Sequence, residues 1–203
     1  MLYKLAHILR DRFGFIWNMI EWVNAFVFAV THKKQLAKIP TILQGFSDKY
    51  TLRLAETADV KSLAKFFAEQ PDEAFEFFRP HAFDEKTLVR IIRNKAFLTF
   101  LVLENAEIVG YFFLRCFVNG KCFKGYIVGD ANKGKGIAKL EGLVMNKVNE
   151  MLGLRMFGSI SPKNPASMAV AKAVNEIKIL ETLENGDLYI EFLPKKTMNG
   201  LNV

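Results

Sequence analysis

Residues 126–140 read YIVGDANKGKGIAKL, and this stretch decides how the whole sequence is interpreted. An apolar run at Tyr126–Val128 predicts a strand, and a helical pattern begins at Ile137. Gly134 and Gly136 lie between them, and glycine allows the backbone both a positive φ and a close approach to a ligand. The first N–H groups of a helix lack partners within it and carry the positive end of its dipole. A strand, a glycine-rich turn and a helix in this order therefore predict a binding site for a phosphate-like anion.

The common phosphate-binding patterns fit this stretch incompletely. The P-loop pattern G-x-x-x-x-G-K-[ST] fails because Gly136, and neither Ser nor Thr, follows Lys135. The dinucleotide pattern G-x-G-x-x-G is met only at Gly134 and Gly136, since its last position is occupied by Lys139. Taken alone, the Gly-Lys-Gly sequence is equally compatible with a solvated basic turn.

Three motifs, in order along the chain, resemble the GNAT superfamily of acyl-CoA-dependent N-acetyltransferases. Lys133–Ala138 (KGKGIA) is similar to the family's acetyl-CoA loop, Gln/Arg-x-x-Gly-x-Gly/Ala, with Lys at the first position. Asn164–Ser167 (NPAS) is similar to the family's Asn-x-x-Ser, which opens the next helix. Leu52–Asp59 resembles the family's first strand and helix start. Together the motifs span about residues 50–193, which makes the resemblance far more specific than the glycines alone.

The resemblance implies a fold, a cosubstrate and the contacts between them. The expected fold class is α/β (α+β), a mixed, mostly antiparallel twisted sheet with helices on both faces. In this family the fourth and fifth strands splay apart, the pantetheine arm pairs with the fourth strand, and the glycine turn binds the pyrophosphate. The cosubstrate is then acetyl-CoA, and no metal is implied. The residues implied to contact acetyl-CoA are Tyr126, Ile127, Val128, Lys133, Gly134, Lys135, Gly136, Ile137, Ala138, Asn164 and Ser167.

The resemblance specifies fewer of the catalytic groups than of the cosubstrate contacts. The resemblance implies a tyrosine proton donor four residues after the motif serine, but Ala171 occupies that position, so another group or water must protonate the thiolate. His81 is the candidate general base, because it alone of the three histidines lies in the catalytic region and histidine titrates near neutral pH. A packing role for His81 among the neighbouring phenylalanines is equally compatible. Weaker candidates for the base are Glu73, Glu76 and Asp84.

The acceptor implied by the resemblance is a primary amine on a small molecule. Phe78–Asp84 and Tyr111–Arg115 resemble segments of bacterial GNAT members that acetylate amino sugars. Phe78, Arg79 and Arg115 are the predicted acceptor contacts, and the arginines would hold a sugar-nucleotide diphosphate unless they pair with nearby carboxylates. Two alternatives stay open. One is a CoA-binding regulatory or interaction module without catalysis, motivated by the missing tyrosine, and the other is a protein N-acetyltransferase.

Composition limits the other classes of function. The 203 residues are 51% hydrophobic and 24% charged, which suits one compact domain with an extension. The net charge is +7, and residues 1–50 hold seven Lys and Arg against three Asp and Glu, so this quarter contributes four of the seven charges. That distribution argues against a broad nucleic-acid surface, which needs clustered cations over the binding face. No Cys/His cluster has zinc spacing and no signal-peptide cleavage site is evident, so we expect a cytoplasmic protein.

The two cysteines flank Asn119–Gly120, which is a strong signal for a hairpin turn. A two-residue turn would place Cys116 opposite Phe123 and Cys122 opposite Phe117. The cysteines would then be offset across the hairpin, and no disulfide is predicted.

Residues 1–48 are predicted to form an apolar, amphipathic helical extension, and residues 49–203 the acetyltransferase domain. From Phe13 to Val30 the chain is almost continuously apolar, with too many polar side chains for a membrane-spanning helix. The polar positions form one narrow helical stripe of Asp11, Asn18, Glu21 and Asn24. Cations flank the segment at Arg10, Arg12, His32, Lys33, Lys34 and Lys38, and Pro40 and Gly45 predict a linker after it. The apolar surface must be buried on the catalytic domain, on a second copy of the chain, or peripherally in an anionic membrane surface, expected at its cytoplasmic face.

Periodicity and turn residues predict the remaining elements. Strands are expected at residues 50–54, 97–103, 108–118, 121–128, 154–159, 178–183 and 188–193. Helices are expected at residues 60–67, 84–94, 137–152 and 165–174, with a further helical stretch starting at Pro71. Thr57 and Asp84 are the expected caps of the first two of these helices.

Overall fold

Seven strands form one sheet in this computed structural model, which describes residues 14–195 and the side chains of residues 18–195. The strands are β1 (Thr51–Leu54), β2 (Phe97–Glu104), β3 (Glu107–Cys116), β4 (Lys121–Val128), β5 (Arg155–Ile160), β6 (Asn175–Thr182) and β7 (Leu188–Pro194). Their spatial order is β1-β2-β3-β4-β5-β7-β6. Every neighbouring pair is antiparallel except β4 and β5, which are parallel. The predicted mixed, mostly antiparallel sheet is confirmed.

Helices cover both faces of the sheet, as predicted. Those of the described residues are α1 (Gly14–Thr31), α2 (Lys33–Leu36), α3 (Ile39–Leu43), α4 (Val60–Ala68), α5 (Glu85–Arg93), α6 (Ile137–Leu152) and α7 (Pro165–Val174). One core cluster joins the sheet to α6, α7 and the N-terminal helices, and a second joins it to α4 and α5. Successive residues of β3 alternate between them, because side chains of a strand point to opposite faces. Phe112 and Leu114 belong to the first cluster, and Tyr111 and Phe113 to the second.

The turn between β3 and β4 corrects the predicted hairpin register. The N–H of Phe117 donates to the carbonyl of Lys121 at 2.9 Å, so three residues and not two form the loop. The last of them, Gly120, has φ 78°, as the third residue of such a loop requires. The extra residue shifts the register by one, and Cys116 pairs directly with Cys122. The predicted offset is wrong, although both cysteines are free thiols in the core, where burial raises the pKa of Cys122 to about 12.

The helix caps follow the sequence at one site and depart from it at another. Asp84 caps α5 as predicted, because its carboxylate accepts hydrogen bonds from the N–H and the hydroxyl of Thr87 at 2.9 and 2.7 Å. Thr57 was the wrong choice for α4, since a short 3₁₀ turn precedes that helix and is capped by Glu56 together with Asp59. The helical stretch expected from Pro71 is only one 3₁₀ turn, Asp72–Phe75, and the chain beyond it is irregular.

The N-terminal helices pack on the same core as α6. Phe28, Ile39 and Leu43 are almost completely buried there. Pro40 lies in the first turn of α3, where proline is tolerated, so the expected linker is partly helical. Among residues 14–195, no helix combines the length and apolar character needed to cross a membrane. The predicted contributions of Arg10, Asp11 and Arg12 lie outside the described residues.

Two side chains of the polar stripe on α1, Glu21 and Asn24, face the domain, and most of the apolar side of the helix faces outward. The Glu21 carboxylate accepts from the Arg115 guanidinium at 2.5 Å. The Asn24 side chain donates to the carbonyl of Cys116 and accepts from the N–H of Val118, at 2.9 and 3.0 Å. The apolar side chains left exposed on α1 are Met19, Ile20, Trp22, Val23, Phe26, Val27 and Val30. The helix is therefore attached by these polar contacts and by the buried Phe28, and it presents an apolar surface on its other side.

Candidate functional site

The parallel strands β4 and β5 separate soon after they begin to pair. Their register extends from Lys121 opposite Arg155 to Phe123 opposite Phe157, and no pair follows it. The N–H of Gly129 donates to Val109 on β3, and the two sides of an antiparallel strand alternate residue by residue. The backbone N–H groups of Tyr126 and Val128 therefore point into the gap, whereas that of Ile127 points toward β3. The fourth strand thus offers two hydrogen-bond donors to a ligand.

The gap leads to the glycine turn at the start of α6. Gly134 and Gly136 have φ values of 78° and 81°, which L-residues with side chains rarely adopt. Within α6 the first N–H to donate to a preceding carbonyl is that of Leu140, which bonds to Gly136 at 3.1 Å. The N–H groups of Ile137 and Ala138 are therefore available to a ligand. A Cβ added at either glycine would meet no atom within 4 Å, so the turn is open on its outer side.

Two lysines of the turn are held by neighbouring side chains. Lys133 forms an ion pair with Asp130 at 2.5 Å, and Lys135 donates to the side-chain carbonyl of Asn132 at 2.7 Å. Both pairs are exposed, so a bound anion can compete for either lysine. Lys133 lines the cleft described below, whereas Lys135 does not.

The start of α7 forms the opposite wall of the gap. The Asn164 side chain accepts from the N–H of Ser167 at 3.0 Å and so caps the helix. The Ser167 hydroxyl lies 3.3 Å from the hydroxyl of Tyr126, which joins α7 to β4. Ala171 lines the same cleft, one turn further along the helix.

These elements enclose one cleft of about 1250 Å³. Typical ligand pockets measure roughly 300–1000 Å³, so this cleft has room for an extended ligand and a second molecule. The predicted acetyl-CoA residues line it, with Lys135 as the exception. The segment Phe77–Pro80 also lines it, so the predicted acceptor residues Phe78 and Arg79 share one cleft with the predicted acetyl-CoA residues.

His81 directly follows this segment and does not line the cleft. Its Nδ1 is 2.8 Å from the carbonyl of Ala82, which can only accept, so Nδ1 carries the proton in the neutral ring. Its Nε2 is 2.8 Å from the Tyr111 hydroxyl oxygen and accepts a hydrogen bond from that hydroxyl. The rings of Phe67, Phe83, Phe97 and Phe113 surround it. Burial lowers the pKa of His81, and both of its nitrogens are occupied by structural hydrogen bonds.

Arg115, the other predicted acceptor contact, lies outside the cleft. It joins β3 to α1 through Glu21, and its guanidinium lies 5.3 Å from the centre of the Phe117 ring. The sequence analysis gave pairing of Arg115 with a nearby carboxylate as the alternative to acceptor binding, and the structure shows this pairing.

Lys124 is a cleft residue that the motifs did not indicate. It lies on β4 between Cys122 and Tyr126 on the same face of the strand. Burial lowers the pKa of Lys124 to about 7. The signal was present in the sequence, since this lysine interrupts the interior face of a strand that is otherwise apolar, but periodicity alone assigns it no role.

No protein-family model matches the sequence, and no curated protein matches it. Several solved structures share its fold. Mycobacterium smegmatis RimJ in complex with CoA-disulfide superimposes with a TM-score of 0.61 and 16% identity, over 74% of this chain and 84% of that one. The GNAT domain of S. lividans PAT gives 0.60 and 18%, over 70% and 88% of the two chains. AAC(6')-Ib in complex with paromomycin and acetyl-CoA gives 0.59 and 16%, over 77% and 99%. At these identities the likeness concerns the fold, and the chain has the fold of the GNAT acetyltransferases.

Proposed function

We propose that this protein is an acetyl-CoA-dependent N-acetyltransferase that acetylates the primary amine of a small molecule. One observation carries the proposal: a single cleft contains two kinds of free backbone N–H group. The N–H groups of Tyr126 and Val128 are unpaired at the edge of β4, and those at the start of α6 are left accessible by Gly136. An arm containing amides suits the strand edge, and a pyrophosphate suits the helix terminus. That the solved structures named above include complexes with CoA-disulfide and acetyl-CoA supports this assignment.

The side chains and backbone of the cleft have separable roles in this proposal. When bound, acetyl-CoA supplies an activated acetyl thioester. The N–H groups of Tyr126 and Val128 hold the arm, and a strand N–H polarises the thioester carbonyl. The N–H groups of Ile137 and Ala138 bind the pyrophosphate. Lys133 gives up its ion pair with Asp130 and pairs with the pyrophosphate instead. Much of the rate enhancement then comes from holding the two reactants in orientation.

Replacing Gly136 by aspartate tests the cosubstrate site. The new carboxylate would stand in the anion site, so we expect acetyl-CoA binding to fall below detection in isothermal titration calorimetry. Gly120→Asp is the matched control, because Gly120 also has a positive φ, 78°, with open space around it, but lies at the distant β3–β4 turn. Unchanged acetyl-CoA affinity in Gly136→Asp would show that the site is assigned to the wrong turn.

For the acceptor, we propose an aminosugar nucleotide. Arg79 supports this choice, because it is an exposed residue of the cleft and its Nε donates to the carbonyl of Phe75 at 3.2 Å. Its two terminal amino groups have no hydrogen-bond partner among the described residues. Those groups suit bidentate binding of a diphosphate. Acetylated product should be sought across a panel of aminosugar nucleotides, polyamines and protein N-termini. Turnover on protein termini alone would favour the protein N-acetyltransferase, and CoA binding without any turnover would favour the regulatory module.

We further propose that the protein is cytoplasmic and that α1 holds it at an anionic lipid surface. Trp22 and Phe26 stack on the outer side of α1, with ring centres 5.7 Å apart, and are 67% and 59% exposed. Exposed lysines at positions 33, 34 and 38 follow this apolar side, and Glu21, the one acidic residue between positions 18 and 44, is already paired with Arg115. This charge suits an anionic surface and disfavours a second copy of the same helix. A homo-oligomer through this face is the alternative outcome of the test described in the Discussion.

A further inference from the structure

Lys124 occupies the closed end of the gap between β4 and β5. The last paired residues of the two strands are Phe123 and Phe157, so Lys124 is the first residue of β4 after they separate. Its side chain lies on the face of β4 that carries Cys122 and Tyr126, and it lines the cleft together with Ala171. A ligand arm lying in the gap would end beside this lysine.

The amino group of Lys124 is held in place but not fully bonded. Its Nζ donates to the side-chain oxygen of Asn175 at 3.3 Å and lies 3.7 Å from the centre of the Phe192 ring. Asn175 is fixed in orientation, because its side-chain amide donates to Asn146 at 2.8 Å and leaves the oxygen for Lys124. An ammonium has three donors, and within the described residues only this one hydrogen bond uses them. The rest are available to a group in the cleft.

Within the described part of the chain, no negative charge near Lys124 stabilises its ammonium form, so the side chain releases its proton readily. Among the described side chains, no carboxylate lies within ion-pair distance of Nζ. The titratable neighbours on the same face of β4 are Cys122 and Tyr126, whose pKa values burial raises, so both are neutral at pH 7. The elements packed against Nζ contribute the neutral side chains Asn175 and Phe192.

We propose that Lys124 is the catalytic acid that protonates the departing thiol of coenzyme A. This inference rests on the proposed acetyltransferase function. The electron pair of the acceptor nitrogen forms the N–C bond to the acetyl carbon, while the C–S bond breaks and leaves its electron pair on sulfur. The ammonium of Lys124 gives one proton to that sulfur, and the acceptor nitrogen loses one proton to water. Lys124 then takes a proton back from water, so the enzyme returns to its starting state.

The acidity of the neighbouring groups favours Lys124 over the alternatives. A thiol has a pKa of about 8.5, so an acid with a pKa near 7 transfers its proton downhill. Tyr126 and Ser167 also carry hydroxyls beside the gap. Burial raises the pKa of Tyr126 above the ordinary value, so its proton transfer to a thiolate would be uphill, and a serine hydroxyl is a weaker acid still. Helix α7 offers no acid of its own, since Pro165–Val174 reads PASMAVAKAV and its lysine, Lys172, is exposed.

The kinetic test compares Lys124→Met with Lys121→Met. Lys121 is exposed on the same strand and lies outside the cleft, so its replacement controls for loss of one positive charge on β4. We expect Lys124→Met to lower kcat by about 100-fold or more, the usual effect of removing a positioned acid, with little change in acetyl-CoA affinity. Wild-type kcat should fall as Lys124 loses its proton above pH 7, and Lys124→Met should lack that descending limb.

A second readout needs no turnover. Brief labelling with acetic anhydride, mapped by mass spectrometry, modifies only uncharged amines, so ordinary lysines with a pKa of about 10.4 react slowly at neutral pH. Lys124 should label with a midpoint near pH 7 and should be protected by coenzyme A. Labelling of Lys124 with the pH profile of Lys121, or wild-type kcat and pH profile in Lys124→Met, would overturn the role of Lys124 alone. Coenzyme A binding without acetylated product from any amine would instead overturn the proposed function, and the acid role with it.

Discussion

At the scale of single residues, His81 shows how geometry separates two roles that the sequence left equal. Its Nδ1–H donates to Ala82 and its Nε2 accepts from Tyr111, whose hydroxyl is itself buried. A base must have a lone pair facing the substrate, and this ring has none directed into the cleft. The geometry therefore favours packing, and the catalytic assignment stays a prediction that one variant can test.

We expect His81→Ala to lower the free energy of unfolding by about 1–3 kcal/mol, because the buried Tyr111 hydroxyl loses its partner. Its kcat should fall less than about tenfold, since His81 would not touch the substrate. Urea unfolding and steady-state kinetics measure the two effects. A loss of a few hundredfold in kcat that shrinks at high pH, with unchanged acetyl-CoA affinity, would restore His81 as the base.

Glu141 is a buried carboxyl on α6 that the sequence did not single out. It is 0% exposed, and neither of its oxygens has a hydrogen-bond partner among the described residues. It lies against the backbone of β3, since a Cβ added at Gly110 would fall 2.6 Å from its Oε1. Burial raises the pKa of Glu141 well above its usual range, so the folded state keeps the proton.

The protein should therefore lose stability as the pH rises above about 4.3, the pKa of glutamate in an unfolded chain. Above that pH the unfolded state has released the proton that the folded state retains, so the free energy of unfolding falls, by at most about 1.4 kcal/mol per pH unit. Glu141→Gln cannot ionise and should be more stable than the wild type at pH 8, with a much smaller difference at pH 5. Urea unfolding of both proteins at the two pH values measures this, and a difference independent of pH would contradict it.

At the scale of elements, α1 faces the domain with two polar side chains and the buried Phe28, and it leaves most of its apolar side exposed. Glu21 and Asn24 bind Arg115 and the β3–β4 hairpin, while Trp22 and Phe26 face outward. A contiguous exposed apolar surface of this kind marks an interaction site. Because lysines follow α1, anionic lipid is the partner that we propose for this surface.

In a Trp17→Phe variant, Trp22 is the sole tryptophan of the chain. Its emission should shift to the blue with vesicles containing phosphatidylglycerol, and less with phosphatidylcholine alone, because insertion moves the indole out of water and the lysines add attraction. Val30→Asp should weaken the shift, whereas Ile179→Asp, at an exposed position on the edge strand β6, serves as the control. No shift, together with a concentration-dependent dimer in sedimentation, would assign the face to a second copy. If the Trp22 emission does not shift and the protein is a monomer at all concentrations, both the lipid-binding and the dimer assignments of this face are wrong.

At the scale of the whole molecule, the sequence predicted what local patterns determine. The bounds of β4 and α6 follow directly from apolar periodicity and the glycines between them, and Asp84 identified the start of α5. The β3–β4 register was missed because the choice between two and three loop residues depends on Gly120 adopting a positive φ inside the turn. The sequence left the direction of the polar stripe on α1 open, because the partner of Glu21, Arg115, lies 94 residues away in the chain.

The candidate site divides in the same way. The proposed cosubstrate half consists mainly of backbone groups of a contiguous motif, so the sequence is enough to predict it. Its catalytic half depends on which side chains reach the gap, and this is a matter of tertiary packing. Lys124 reaches the cleft because β5 turns away from it, whereas His81 is excluded by Phe113 and its neighbouring rings.

The short pairing between β4 and β5 also has a mechanical consequence. Three residue pairs, from Lys121–Arg155 to Phe123–Phe157, join the β1–β4 half of the sheet to the β5–β7 half. A ligand bound in the gap contacts both halves of the sheet and so links them where β4 and β5 are unpaired. It would add cohesion at the weakest line of the sheet, and at a hundredfold excess over its Kd such binding contributes about 2.7 kcal/mol to the folded state. If the proposed cosubstrate binds there, it stabilises the fold in addition to supplying the acetyl group, and the free energy of unfolding should rise with its concentration.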